Sequence, residues 1–387
     1  MKKVLILGGG FAGVECAIYL RKNNFSVTLI SDREYLYVYP TSIWVPTNGC
    51  SYEDVKIPLS KLQDVHKFTL VVDKVESIKS LEKKVYCKNK TYDYEYLVVA
   101  MGSGKMHHKG IEHTISICGN PKDALRIKEK FDSLIEKGSG KVSFGFGSNS
   151  KDSSNVRGGP AFELLFNFHN KLKKLGIREN YELTFFAPMK EPGKRMGEGA
   201  LKMMDKIFKK LDIKVRVGKK IIEFKEDGIL FEDDIFLESD FTMFIPAGDG
   251  HKVFQNSDLP LSDSGLIKIN DHCEVYKKDD IFAIGDCVSL EGPSWKAKQG
   301  HLAEAMAKIT AYNIKAKEDK NPNLKGYQEH INILCIMDSG DGASFIYRSQ
   351  KRAFMIPMPI VGHWLKKGWG FYYKNSKLNK IPRLPGL

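Results

Sequence analysis

The chain opens with an apolar run, Val4-Leu-Ile-Leu7, that stops at Gly8-Gly9-Gly10 and resumes as Phe11-Ala-Gly13-Val-Glu15. A short apolar run closed by glycine reads as a buried strand. The pattern predicts a strand over 4–7, a helix over 12–23 and a strand over 26–31. Further apolar runs predict strands around 68–73, 84–88 and 94–100. Helix 121–137, strand 141–146, helix 159–175, strand 182–187, helix 197–212 and strand 214–217 then alternate. Such alternation implies βαβ units and parallel sheets. A hairpin-like stretch at 220–237 leads to the apolar run 241–246. A second such run, Ile281-Phe-Ala-Ile284, precedes a helix over 299–317, and strands are expected at 330–337 and 343–348.

Two segments follow neither period. Residues 35–50 are aromatic and Pro-rich, which suits a loop lying against a flat ring. Residues 354–373 mix Trp, Tyr, Met and Lys. That mixture suits either a membrane interface or a helix closing the core.

The glycine pattern carries chemistry. Gly8 permits a tight turn, Gly10 lets backbone approach a pyrophosphate, and Gly13 lets the helix pack on its strand. The neighbouring Phe11 and Ala12 open the helix that receives that pyrophosphate. An acidic side chain is expected at the end of the second strand to hold a ribose, a role shared here by Ser31 and Asp32. Far downstream, the 281–284 run ends in Gly285-Asp286, where a carboxylate can hold a polyol hydroxyl. With Tyr96-Leu-Val-Val-Ala100-Met-Gly102 between them, the two marks point to FAD rather than NAD. The expected fold is α/β, with two Rossmann-like dinucleotide-binding domains and a C-terminal membrane-interface segment. The first, FAD-binding domain takes 1–105 and 245–325, the second 106–244, and the C-terminal part 326–387.

Bulk composition narrows the partners. The 387 residues carry 60 Lys+Arg against 47 Asp+Glu, a net charge of +13. This balance serves solubility or attraction to an anionic membrane surface. Scattered lysines without a recognition motif make nucleic acid an unexpected partner. No apolar run reaches ~18 residues, so no spanning helix is expected. The Lys2-Lys3 start mimics a signal peptide, but the glycine turn follows too soon, which implies synthesis in the cytoplasm. Seven cysteines show neither CxxC nor zinc-ligand spacing, and no metal is expected.

The glycine turn, Ala100-Met-Gly102, Gly285-Asp286 and the aromatic tail together resemble two-dinucleotide-domain flavoproteins. Within them the chain is most similar to the sulfide:quinone oxidoreductase family, with type II NADH dehydrogenases and flavocytochrome c sulfide dehydrogenases as relatives. Four marks carry this resemblance: Ile117-Cys118, Gly159-Pro-Ala-Phe-Glu163, Lys298-Gln-Gly300 and Cys335-Ile-Met-Asp-Ser-Gly340. It implies oxidation of sulfide at a cysteine pair, transfer of two electrons through FAD, and reduction of a quinone near the membrane. It also implies peripheral attachment to the cell membrane and admits self-association. Cys335 matches the C-terminal active cysteine and Cys118 an accessory cysteine. Glu163 matches a proton-relay carboxylate, and Lys298 a lysine at the flavin pyrimidine edge. The second active cysteine is expected two residues before Gly159, where this chain has Arg157. Cys118 or Cys50 could partner Cys335 instead, or Arg157 could steer an anionic donor. Two other functions stay open: an NADH:quinone oxidoreductase, and an FAD-bound scaffold without efficient turnover. The first would need a nucleotide site at Gly145-Phe-Gly147, where about ten residues separate the turn from the next helix.

Overall fold

The computed structural model describes residues 1–384. Its first sheet contains Lys3–Leu7, Ser26–Ser31, Thr69–Val72, Tyr96–Val99 and Ile281–Ala283. Lys3–Leu7 lies at the centre and pairs in parallel with both Ser26–Ser31 and Tyr96–Val99. Ile281–Ala283 closes one edge and Thr69–Val72 the other, again in parallel. Lys3–Leu7, Tyr96–Val99 and Ile281–Ala283 are buried on both faces and have the continuous apolar runs this needs, while the edge strand Thr69–Val72 is partly exposed. The helix Phe11–Lys22 covers one face and packs closely on the long helix Gly300–Glu318.

The second sheet has the order Thr114–Ile115, Phe241–Ile245, Gly140–Phe146, Tyr181–Ala187, Ile213–Val217, and all its neighbours are parallel. Its core is aromatic. Phe131 stacks on Phe168 at 3.9 Å, and Phe162 on Phe185 at 4.8 Å. Two short strands, Gly104–Lys105 and Gly248–Asp249, pair antiparallel where the chain passes between the sheets.

The C-terminal part is an antiparallel sheet of Ile333–Asp338, Gly342–Arg348 and Ala353–Pro359, followed by the helix Val361–Lys377. The aromatic segment 354–373 is therefore divided between a strand and a helix, with Ile360 at a positive φ between them. The helix closes the core with one face and leaves apolar side chains exposed on the other. Lys366, Tyr373, Ser376 and Lys377 are buried inward, while Trp364, Leu365 and Phe371 are exposed outward. Residues 35–50 form a short strand, Tyr35–Tyr37, and a one-turn helix, Tyr39–Ser42, rather than an unstructured loop. No helix among the described residues is long and apolar enough to cross a membrane.

Candidate active site

One cavity of about 1450 Å3 lies between the sheets and the C-terminal part. It exceeds the roughly 300–1,000 Å3 of a typical small-molecule site. The glycine turn forms its floor. Gly8 has φ +113°, and a Cβ there would lie 2.3 Å from Ala100 O. A Cβ on Gly13 would lie 1.9 Å from Gly8 O, so this glycine sets the helix against the turn. A Cβ on Gly10 would meet nothing within 4 Å. Gly10 lines the cavity and heads the Phe11–Lys22 helix without a side-chain cap. Open space above an uncapped helix N-terminus fits a pyrophosphate.

Of the expected cofactor residues, Gly8, Gly10, Phe11, Ala12, Asp32, Ala100, Gly102, Gly285, Asp286 and Lys298 line the cavity. Gly13 lies behind the wall rather than in it, and Ser31 is not part of the wall either. Its buried hydroxyl donates to Arg33 O at 2.7 Å, so of the Ser31/Asp32 pair only Asp32 lines the cavity, where its Oδ1 accepts from Arg33 Nε at 3.1 Å. Asp286 is ion-paired with Arg157. Lys298 donates to Asn155 Oδ1 at 2.5 Å and Asp286 O at 2.9 Å. Burial pushes its ammonium down to about 7. Tyr35, Tyr37 and Tyr39 add an aromatic wall, with Pro40 beside them.

Cys335 and Glu163 line the same cavity. Glu163 sits on the helix Gly159–Lys174, which packs on the strand carrying Cys335. Its Oε1 accepts from Asp338 N–H at 2.8 Å and from the ammonium of Lys366. Both side chains are buried. Burial raises the Glu163 carboxyl above its ordinary range, while the Lys366 charge pulls the other way. Burial pushes the Cys335 thiol up to about 12, so a thiolate there needs a base. Behind this pair, the buried Asp338 carboxylate accepts from Trp44 Nε1 at 3.1 Å and Asn167 Nδ2 at 3.1 Å. It also contacts His363 Nδ1 at 2.6 Å. Cys118 lines the cavity too, but Cys50 does not, and the Cys50 thiol points at Thr41 O. All seven cysteines are free thiols.

A second buried charge cluster lies at the C-terminal end of the helix Val361–Lys377. Lys377 reaches both Glu15 and Glu304, Arg383 adds two bonds to Glu15, and Tyr373 donates to Glu304 Oε1 at 3.0 Å. Tyr373 also stacks on Phe11 at 4.9 Å. Sequence reasoning did not identify Lys366, Asp338, Glu304 or Lys377 as site residues. Their spacing has no motif, because partners 203 and 362 residues apart meet only in the fold.

The model of pyridine nucleotide-disulphide oxidoreductases matches residues 2–308. The chain belongs to this family. Its members bind FAD and act as FAD-dependent oxidoreductases, and the cradle over Gly10 fits that cofactor. Among characterised relatives, the chain is 28% identical to the sulfide-quinone reductase of Aquifex aeolicus (strain VF5), over 97% of this chain and 89% of that one. It is 24% identical to a type II NADH:quinone oxidoreductase of Staphylococcus epidermidis, over 92% and 93%. The solved structure of the Aquifex aeolicus sulfide:quinone oxidoreductase matches with a TM-score of 0.88 at 24% identity. It covers 98% of this chain and 92% of its own, and at that identity it bears on the fold alone.

Proposed function

We propose that the protein takes two electrons from sulfide, or a related small sulfur donor, at Cys335 and passes them through FAD to a membrane quinone. The observation that carries this reading is Cys335 on the wall of the dinucleotide cavity, beside the buried Glu163–Lys366 pair. Bound FAD supplies the two-electron carrier. Gly10, Asp32 and Asp286 would hold it, with Lys298 near its ring.

The residues around Cys335 suit proton handling. Glu163 Oε1 is occupied by Asp338 N–H and Lys366, which leaves Oε2 to receive the Cys335 proton. Lys366 then offsets the charge left behind. Leu334, Trp369, Tyr372 and Tyr373 also line the cavity and provide an apolar and aromatic slot for a quinone ring. Glu304, held by Tyr373 and Lys377, is the carboxyl placed to deliver protons there. The exposed face of the C-terminal helix suits docking at a lipid surface without a membrane span.

An NADH donor is supported by the second relative's activity. Residues 147–158 oppose it, because they separate the strand end from the helix N-terminus that would carry a pyrophosphate. The test is anaerobic mixing of the FAD-loaded protein with sulfide and, separately, NADH, following flavin absorbance near ~450 nm. Sulfide is expected to bleach the band, and Cys335→Ser to abolish that response. Bleaching by NADH alone would move the protein to the NADH:quinone branch, and bleaching by neither would favour an FAD-bound scaffold.

A further inference from the structure

Residues 147–158 separate the strand Gly140–Phe146 from the helix Gly159–Lys174, and they are pinned at several points. Gly147 N–H donates to Ile245 O at 2.9 Å, and Asn149 Nδ2 to Gly248 O at 2.9 Å. Asp152 Oδ1 accepts from Ser154 N–H at 2.9 Å and from Ser154 Oγ at 2.6 Å. The segment then crosses to the residues that follow the first sheet. Ser154 O accepts from Lys298 N–H at 3.3 Å, and Asn155 Oδ1 from Lys298 Nζ at 2.5 Å. Two residues further on, Arg157 is ion-paired with Asp286.

Two features of this crossing do not serve stability. Asn155 is buried, and its Nδ2 has no partner among the described residues. A buried amide with one group unsatisfied costs free energy, so what this position offers is its bond to Lys298. Lys298 is itself buried, and its Nζ donates to Asn155 Oδ1 and to Asp286 O, neither of them charged. The carboxylate on the same Asp286 is taken by Arg157. The other ionisable groups near Lys298 are Asp152 and Cys287. Asp152 Oδ1 bonds Ser154, and the Cys287 thiol donates to Val99 O at 3.3 Å and Ile284 O at 3.2 Å. The ammonium is thus held in place by neutral oxygens and left unmatched in charge. A fixed, unneutralised cation stabilises negative charge that develops beside it.

We propose that Asn155 and Arg157 are positioning residues for Lys298, through which the segment 147–158 sets the reduction potential of the flavin. Asn155 fixes the ammonium, and Arg157 withholds the Asp286 carboxylate from it. The charge of Lys298 then remains available to the negative charge that a flavin gains on reduction. Asp286 neutralises the Arg157 guanidinium, so the effect of Arg157 passes through Lys298. This rests on the reading of Lys298 as the cation near the flavin ring.

The test is the equilibrium reduction potential of the FAD-loaded protein, measured against a reference dye at about pH 6, where Lys298 carries its proton. Arg157→Gln and Asn155→Leu should each shift the flavin about tenfold toward the oxidised form at fixed potential, about 30 mV for a two-electron couple. In a Lys298→Met background both shifts should vanish. Shifts that persist there would mean that the two residues act on the flavin without Lys298, and would overturn the proposal. Unchanged potentials in the single variants would do the same. If Lys298→Met alone leaves the potential unchanged, it is the reading of Lys298 that fails. Thermal unfolding then judges the positioning without flavin chemistry. Lys298→Met should raise the Tm at about pH 6, and by less in the Arg157→Gln background, where the freed Asp286 carboxylate can pair with the ammonium. An equal gain in both backgrounds would mean that Arg157 does not control the partner of Lys298, and would overturn the positioning.

Discussion

At the residue scale, the glycines divide into two physical roles that single substitutions separate. Gly13 has a backbone oxygen 1.9 Å from where its Cβ would lie, whereas Gly10 faces open cavity. Gly13→Ala is therefore expected to disrupt the turn and yield unstable protein. Gly10→Ala should fold with a near-normal Tm but lose most of its FAD, read as the ratio of flavin to protein absorbance. A cofactor-loaded Gly10→Ala protein would contradict the pyrophosphate assignment.

Lys298 sets a pH dependence of known sign. Its ammonium is pushed down to about 7 in the fold, against roughly 10.4 in an unfolded chain. Between those values the unfolded chain binds a proton that the folded one does not, so this group makes stability rise with pH. Lys298→Met removes the penalty of a buried charge. Its Tm advantage over the parent should be largest near about pH 6 and shrink by about pH 9. A gap that does not change with pH would mean that Lys298 does not titrate in that range.

At the element scale, the C-terminal helix Val361–Lys377 has two anchors. Lys366 meets Glu163 beside Cys335, and Lys377, about three turns further along, meets Glu15 and Glu304. Removing one partner of a buried pair leaves the other charge stranded, at a cost of about 3–5 kcal/mol. Lys366→Met should lower stability by that order in denaturant unfolding, and adding Glu163→Gln should recover much of it. If the double variant is no more stable than the single, the two groups do not act as a pair. The aromatic segment showed in the sequence as a segment with a special role. Its division into strand and helix was not legible, because Met, Ile and Phe suit both states and no glycine marks the break at Ile360.

At the scale of the whole molecule, the strand Ala353–Pro359 and the C-terminal helix join their exposed apolar residues into one surface. Ile356, Ile360, Val361, Trp364, Leu365 and Phe371 all face outward. From Gly342 to the end of the chain there is no Asp or Glu. Apolar residues with a basic surround suit an anionic lipid interface. Sedimentation with vesicles containing anionic lipid should capture the protein, less strongly at high salt. Trp364→Ser with Phe371→Ser should reduce capture by about tenfold while leaving the flavin spectrum unchanged. Equal capture of the double variant would remove this surface from the membrane assignment.

Local covalent and steric rules were enough for much of this protein. The apolar runs, the glycine turn after Leu7 and the Gly285-Asp286 strand end were readable because each acts over a few consecutive residues. They implied the parallel sheets and the FAD cradle without reference to distant parts of the chain. Tertiary structure decided which groups meet. Ser31 turned away while Asp32 faced the cavity, Cys50 fell outside it, and Lys366 and Lys377 found carboxylates far away in sequence. Burial shifted the titration of Glu163, Cys335 and Lys298, and burial belongs to the packed molecule rather than to any single residue.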